Sequence, residues 1–386
     1  MLAAILFALP AIGATKLHDA VAANDLVQID ALIANGSPVN AVNDGNMTAL
    51  SLAASKGYAK AAQALVTGGA AIGTDMHWAA INGHVKVIEV LLGAGAEVDG
   101  DRQTVPLPEV DRQTVRTPLH SAVIGDQAAA IALLVRSGAT LEAQDEEQNT
   151  PLFLAAKRGH AVAIKALVKA GAYAWRKGQG GQLTPLHVAA NNGHGQAVFE
   201  LVVALGRRAA ELNAKDNNGM TALHMAAAQG HMDAMVQLLA AGAAVDAEAD
   251  GRRPTPLHWA ALRGHVEAIK LLVGENASLE ARDDGQMTPL ELAIDANQTD
   301  AIATLETATK TGGGAASTSI SASNKGRTKA PSEAKSKHGG VGTFVFLTGA
   351  GVLSLATLTY AIRSKLWDGA KVGKPKRKPK QARAQR

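Results

Sequence analysis

One eleven-residue phrase, returning at nearly constant spacing, constrains this chain more than anything else in it. Residues 184–194 read TPLHVAANNGH and residues 255–265 read TPLHWAALRGH; residues 221–231 keep the form with Ala222 in place of proline. The threonines that open such phrases stand at Thr48, Thr74, Thr117, Thr150, Thr184, Thr221, Thr255 and Thr288, giving spacings of 26, 43, 33, 34, 37, 34 and 33. A unit without the threonine precedes them, from Leu17-His18-Asp19-Ala20 to Asn35-Gly36. About nine units with a period near 33 therefore fill most of the 386 residues, and self-similarity at that period means a stacked array of small motifs.

Each unit reads as two short helices and a loop. Pro185 and Pro256 suit a first helical turn, where a missing N–H is not needed. The preceding threonine can cap the free amides, and Gly193 and Gly264 stop the helix. A second apolar run follows, such as Val266-Glu267-Ala268-Ile269-Lys270-Leu271-Leu272-Val273, with one inward face. A Gly-Ala turn and a polar tip such as Asp283-Asp284-Gly285 lead to the next unit.

The TPLHxAAxxGH phrase, the second apolar helix, the Gly-Ala turn and the period together resemble the ankyrin repeat over residues 16–308. The resemblance implies an all-α solenoid of paired antiparallel helices with β-hairpin-like loops, curved so that a concave surface holds a protein partner. It implies no catalysis, no cofactor and no small-molecule substrate.

Departures from the period mark local changes. The spacing of 26 removes most of one hairpin around residues 68–73. The spacing of 43 contains a ten-residue duplication, because Asp101-Arg102-Gln103-Thr104-Val105 returns as Asp111-Arg112-Gln113-Thr114-Val115. Such an insertion should project from a stack without breaking it. Asp126-Gln127 replaces Gly-His in one unit, and Glu291 replaces histidine in the last, as a polar capping unit would have it.

Charge divides the chain. Up to Lys310, 23 Lys/Arg stand against 32 Asp/Glu, a net of −9; from Thr311 onward the balance is 15 against 2, a net of +13. An acidic array argues against a phosphate-binding footprint, so no nucleic acid is expected as partner. Without cysteine, disulfides and thiolate chemistry are excluded. Only 3% of residues are aromatic, so buried surface must come from small and aliphatic side chains in closely stacked helices.

The 12 histidines invite a metal reading, but the repeat accounts for eleven. His77, His120, His187, His224 and His258 follow the TPL positions; His84, His160, His194, His231 and His265 follow glycine; His18 has an equivalent place. The ankyrin resemblance implies that these rings bond backbone and threonine groups within and between units, and carboxylates do not interleave at ligand spacing. Asp145-Glu146-Glu147 and Asp283-Asp284 fall at hairpin tips, where solvated charge is expected. Gly178-Gln179-Gly180-Gly181 lacks the Lys-Ser/Thr of a phosphate loop and reads as an elongated turn.

What remains is surface. The two variable places after the Ala-Ala pair should line the inner helices, and by resemblance to how the family binds they are partner contacts. The candidates are Lys56, Asn82, Lys157, Arg158, Asn191, Asn192, Gln229 and Arg263, with Arg252 and Arg253 at a hairpin tip. Trp78 and Trp259, which follow histidine, either anchor a partner or pack between units.

The ends suggest a membrane setting. Residues 1–14 are apolar and end in small residues, which reads either as a secretory signal peptide or as an apolar cap on the first unit. Residues 309–340 read as a basic, disordered linker rich in Gly, Ser, Ala and Lys. Residues 341–362 carry no charge over 22 positions, enough for a helix to cross a bilayer. The basic tail 363–386 includes Lys374-Pro375-Lys376-Arg377-Lys378-Pro379-Lys380, which suits a cytosolic C-terminus and also resembles a nuclear localisation signal. Either the units lie across the membrane from that tail, or an uncleaved chain is anchored C-terminally with its units in the cytosol; a soluble or nuclear regulator that uses the basic tail as a localisation signal is the further alternative. Sequons at Asn35, Asn46, Asn276 and Asn297 can separate the arrangements.

Overall fold

The computed structural model describes residues 12–100, 116–178, 183–206, 208–249 and 254–311. Nine helix pairs follow one another in these residues. The first helices of the pairs run Ile12–Ala22, Ala49–Lys56, Asp75–Ile81, Pro118–Ile124, Pro151–Arg158, Pro185–Asn191, Ala222–Gln229, Pro256–Arg263 and Pro289–Asp295. The second run Leu26–Ala34, Ala59–Thr67, Val85–Gly93, Ala128–Arg136, Ala161–Ala170, Gly195–Leu205, Met232–Ala240, Val266–Gly274 and Thr299–Lys310. The first helix thus starts inside the segment that the sequence assigns to a leader, and the last reaches two residues beyond 308.

Every first helix packs on the first helix of the next unit, and every second helix on the next second helix, so two helical layers run unbroken through the array. The stack continues across both irregular spacings. Only residues 68–74 separate Thr67 from Asp75, as expected of a lost hairpin. The duplicated segment 101–115 lies outside the described residues, and the units flanking it remain in contact in both layers.

Alanine explains the closeness of the first layer. Ala53, Ala54, Ala79, Ala80, Ala155, Ala156, Ala189, Ala190, Ala226, Ala227, Ala260 and Ala261 are all fully buried, and their lack of bulk lets neighbouring helices approach. The second layer buries larger residues at i, i+1 and i+4, as in Val87, Ile88 and Leu91 or Ala163, Ile164 and Leu167.

The glycine of the Gly-His pair is required twice over. Gly193 has φ +74°, where a side chain is strained, and a Cβ there would lie 2.7 Å from Nδ1 of His231 in the next unit. Gly57, Gly159 and Gly230 meet the rings of His84, His194 and His265 in the same way, so each helix stop is also a seat for the next unit's imidazole.

No strand forms among the described residues beyond one isolated antiparallel bridge, between Val42 and Thr48. The loops close instead through single backbone pairs and side-chain caps, as where Asp216 N–H donates to the Met220 carbonyl at 2.9 Å. Gly178 N–H likewise donates to the Leu183 carbonyl at 2.8 Å across the glycine-rich turn. No described helix is long and apolar enough to cross a membrane. Residues 1–11, nearly all of the linker, the apolar run 341–362 and the tail 363–386 lie outside the described residues.

Candidate functional site

The buried histidines are structural, and their bonding explains why. Thr221 N–H donates to Nδ1 of His224 at 3.1 Å, while Nε2 of the same ring lies 3.0 Å from the Pro254 carbonyl, which can only accept. The ring is therefore the neutral Nε2–H tautomer, with both nitrogens engaged. His120, His187 and His258 repeat the arrangement, reaching the Asn149, Met220 and Met287 carbonyls at 3.1 Å. His18 reaches the Met47 carbonyl at 2.8 Å. The rings of His120, His187, His224 and His258 each cap their own helix and bond the loop leading into the next unit, so in them neither nitrogen offers a lone pair to a metal. Among the described residues there is no group of three or more His, Cys, Asp or Glu side chains that could hold a metal ion.

Burial lowers the pKa of His187, His224 and His258, of His224 to about 4. His77 is also lowered to about 4, by burial and then by the neighbouring His120. It departs from the pattern: Nδ1 meets the Ser121 hydroxyl at 2.9 Å, and its Nε2 has no partner. The departure falls in the unit just before the duplicated segment, where the next loop is lengthened. Thr74, at the head of that unit, makes no side-chain cap. The preceding unit fills the space differently: the Ser51 hydroxyl donates to the buried Asp75 carboxylate at 2.7 Å.

The last unit shows what the histidine adds. Glu291 accepts from Thr288 N–H at 2.7 Å and so completes the helix cap, but no described unit follows to receive a second bond. A carboxylate suffices where only the capping half of the task remains.

A second row of rings bonds backward. His84, His194, His231 and His265 donate through Nε2 to the carbonyls of Ser55, Lys157, Asn191 and Ala228, at 3.0 to 3.2 Å. Gln298 does the same to the Leu262 carbonyl at 3.3 Å. These carbonyls belong to the variable places at the first-helix ends, so the next unit holds the backbone of Lys157 and Asn191, and of the residues just before Lys56, Gln229 and Arg263, while those side chains are left outside.

Lys56, Asn82, Lys157, Asn191, Asn192, Gln229 and Arg263 are exposed along this row, and Arg158 is half-buried. Lys157 Nζ lies 3.1 Å from Glu147 Oε2, and this hydrogen bond, against some opposing burial, lowers the Glu147 carboxyl pKa. The pair ties a hairpin tip to a first-helix end, which puts both kinds of candidate contact in one place. Asn192 Nδ2 donates to the Lys157 carbonyl at 2.9 Å. Trp78 and Trp259 are half-buried, with Trp78 packed against the core. Arg252 and Arg253 lie outside the described residues.

One expectation needs correction. Asp145 is not solvated at its tip but buried, accepting from the Asn149 amide at 2.8 Å. It also faces the buried Arg116, whose charge compensates a desolvated carboxylate.

The repeat phrase does not reveal a further series of links between loops. Asn40, Asp99, Glu142, Asn213 and Asp246 accept, respectively, the backbone N–H of Ala71, Thr140, Tyr173, Ala244 and Ser278 in the following loop, at 2.7 to 3.0 Å. Nor does it single out Tyr173, Trp175 and Arg208. Tyr173 and Trp175 are exposed with ring centroids 4.8 Å apart, and the Arg208 guanidinium lies 4.3 Å from the Trp175 ring centroid. The available signal was rarity: Tyr173-Ala174-Trp175 puts two aromatics in one loop of an aromatic-poor chain.

Sequence comparison bears on the whole array. Protein glp-1 of Caenorhabditis elegans is 36% identical over 75 residues, which are 19% of this chain and 6% of that protein. Transient receptor potential cation channel subfamily A member 1 of Drosophila melanogaster is 30% identical over 101 residues, 26% of this chain and 8% of the channel. The chain thus spans less than a tenth of the length of either relative. The family described as "Ankyrin repeats (3 copies)" matches residues 17–102, 105–178, 176–249 and 232–310. With matches over most of its length and nine stacked helix pairs among its described residues, the chain belongs to the ankyrin-repeat family.

Proposed function

We propose that this chain is a non-catalytic adaptor that holds a protein partner along the row of first-helix ends and is tethered to a membrane through residues 341–362. The exposed row from Lys56 to Arg263 carries the reading. At five of the first-helix ends the next unit bonds the backbone that presents these side chains, while the buried histidines are consumed in joining units. Lys56, Lys157, Arg158 and Arg263 make the row basic on an acidic array, with no carboxylate at these places until Asp295. A partner face of acidic and amide side chains suits it. A photo-crosslinking residue placed at Asn191 or Gln229 should capture the partner covalently, whereas one at Lys165, exposed on a second helix, should not. Equal capture from Lys165 rejects the row as the binding surface.

For the setting, the reading puts the units outside the cytosol and the basic tail within it. All four sequon asparagines are exposed, so folding does not hide them. Full-length protein from membranes of its native host should lose apparent mass on treatment with an endoglycosidase. An unshifted band would place the units in the cytosol instead.

A further inference from the structure

Trp175 occupies the loop position at which neighbouring units carry Asp99, Glu142, Asn213 and Asp246, the acceptors that bond the following loop. At this junction the acceptor is replaced by an indole. The next loop is also altered: the spacing of 37 adds residues, and a short helix forms at Ala209–Leu212. Arg208, at the head of that helix, stacks on Trp175 in place of the missing hydrogen bond. The substitution leaves Tyr173 49% exposed and Trp175 39% exposed, side by side.

The surroundings differ in charge from the rest of the loop row. Residues 171–178 and 206–216 carry five Lys/Arg against two Asp/Glu, within an array of net −9. Loop 137–149 before them has four acids and no base. Arg176 and Arg208 are exposed, and their ion-pair contacts with the half-buried Glu142 and Glu211 are long, at 3.5 and 3.7 Å. A partner's carboxylates can therefore reach both guanidinium groups without displacing Glu142 from the Tyr173 N–H.

We infer that Tyr173, Trp175, Arg176 and Arg208 form a second docking surface, which takes an extended acidic segment of a protein partner carrying apolar or proline side chains between its carboxylates. The aromatic pair offers apolar ring surface beside the Arg208 guanidinium, with Arg176 next in the chain to Trp175, so the occupant must supply both chemistries. A single-stranded nucleic acid would also stack and pair here, but the acidic loop at 137–149 repels a continuous phosphate backbone. The surface lies at the loop end of the units, about one first-helix length, roughly 10 Å, from the row of first-helix ends. It rests on the reading of the array as a protein-binding scaffold but does not use that row.

The test is fluorescence anisotropy with the full chain and a labelled peptide alternating glutamate and proline, with labelled oligothymidylate in parallel. The glutamate peptide should bind, and Trp175→Ala or Arg208→Glu should weaken it about tenfold or more. Lys157→Glu on the other row should leave it unchanged, which separates this surface from the proposed main one. Circular dichroism and a urea midpoint near that of the parent identify variants that remain folded. The proposal is overturned by no binding of the glutamate peptide, by binding indifferent to both Trp175→Ala and Arg208→Glu, by loss on Lys157→Glu alone, or by Trp175-dependent binding of oligothymidylate instead.

Discussion

Replacing His224 by phenylalanine will destabilise the array by about 3 kcal/mol, because the ring's shape survives while its bonds to two units vanish. Thr221 N–H and the Thr221 hydroxyl both lose Nδ1 in the interior, and the half-buried Pro254 carbonyl loses Nε2–H. A buried N–H left without a partner carries most of the cost. Phenylalanine is a fair probe because Phe153 occupies the same repeat position in another unit and is buried there, so the slot accepts a phenyl ring. Stability in such arrays depends on the terms between neighbours. The urea transition should therefore broaden or split as the units on either side uncouple. His231→Phe, which removes one bond from an exposed position, should cost about 1 kcal/mol. Equal losses from the two substitutions would refute the idea that the buried rings join units.

Mild acid should weaken the array first through its buried histidines. His77 and His224 are held neutral in the folded chain with pKa lowered from 6.5 to about 4, while in the unfolded chain they take up protons near 6.5. The unfolded state therefore binds more protons between those values, and stability falls as pH falls. Above 6.5 the contribution is complete, and below about 4 it is gone. Together these two rings should remove on the order of 4 kcal/mol between about pH 7 and pH 5. His187 and His258, lowered by burial, add to the loss in the same direction, as does His160, where burial outweighs Asp126. Glu147 and Glu291 also have lowered values, but their contribution is present above 4.5 and is lost only below it. Urea midpoints across that range separate the two windows. A flat profile from neutral pH to about pH 5 would show that the rings are not held neutral in the fold.

The helices were legible because each carries its own punctuation. Thr184 and Pro185 open one and Gly193 closes the turn after it, within eleven residues. The unbroken stack across the lost hairpin and the duplication followed from the same local regularity, since the apolar faces keep their positions on both sides. The burial of Asp145 was not legible, because the residue that faces it, Arg116, belongs to an earlier part of the chain and approaches only when units stack. Trp175 escaped notice for the same reason. Its stacking partner is Arg208, which an altered spacing brings across from the following unit.

The sequence by itself determined the array: its period, its paired-helix units, its two irregular spacings and the divided charge of its parts. All are properties of residues close in the chain. The tertiary structure alone decided what each conserved-looking position does once units meet. A histidine becomes a neutral link because a carbonyl about 30 residues away accepts its Nε2–H, and a glycine becomes a seat because the next unit's ring descends on it. Those roles depend on contacts between units, and local patterning cannot fix which groups a neighbouring unit will bring within hydrogen-bonding distance.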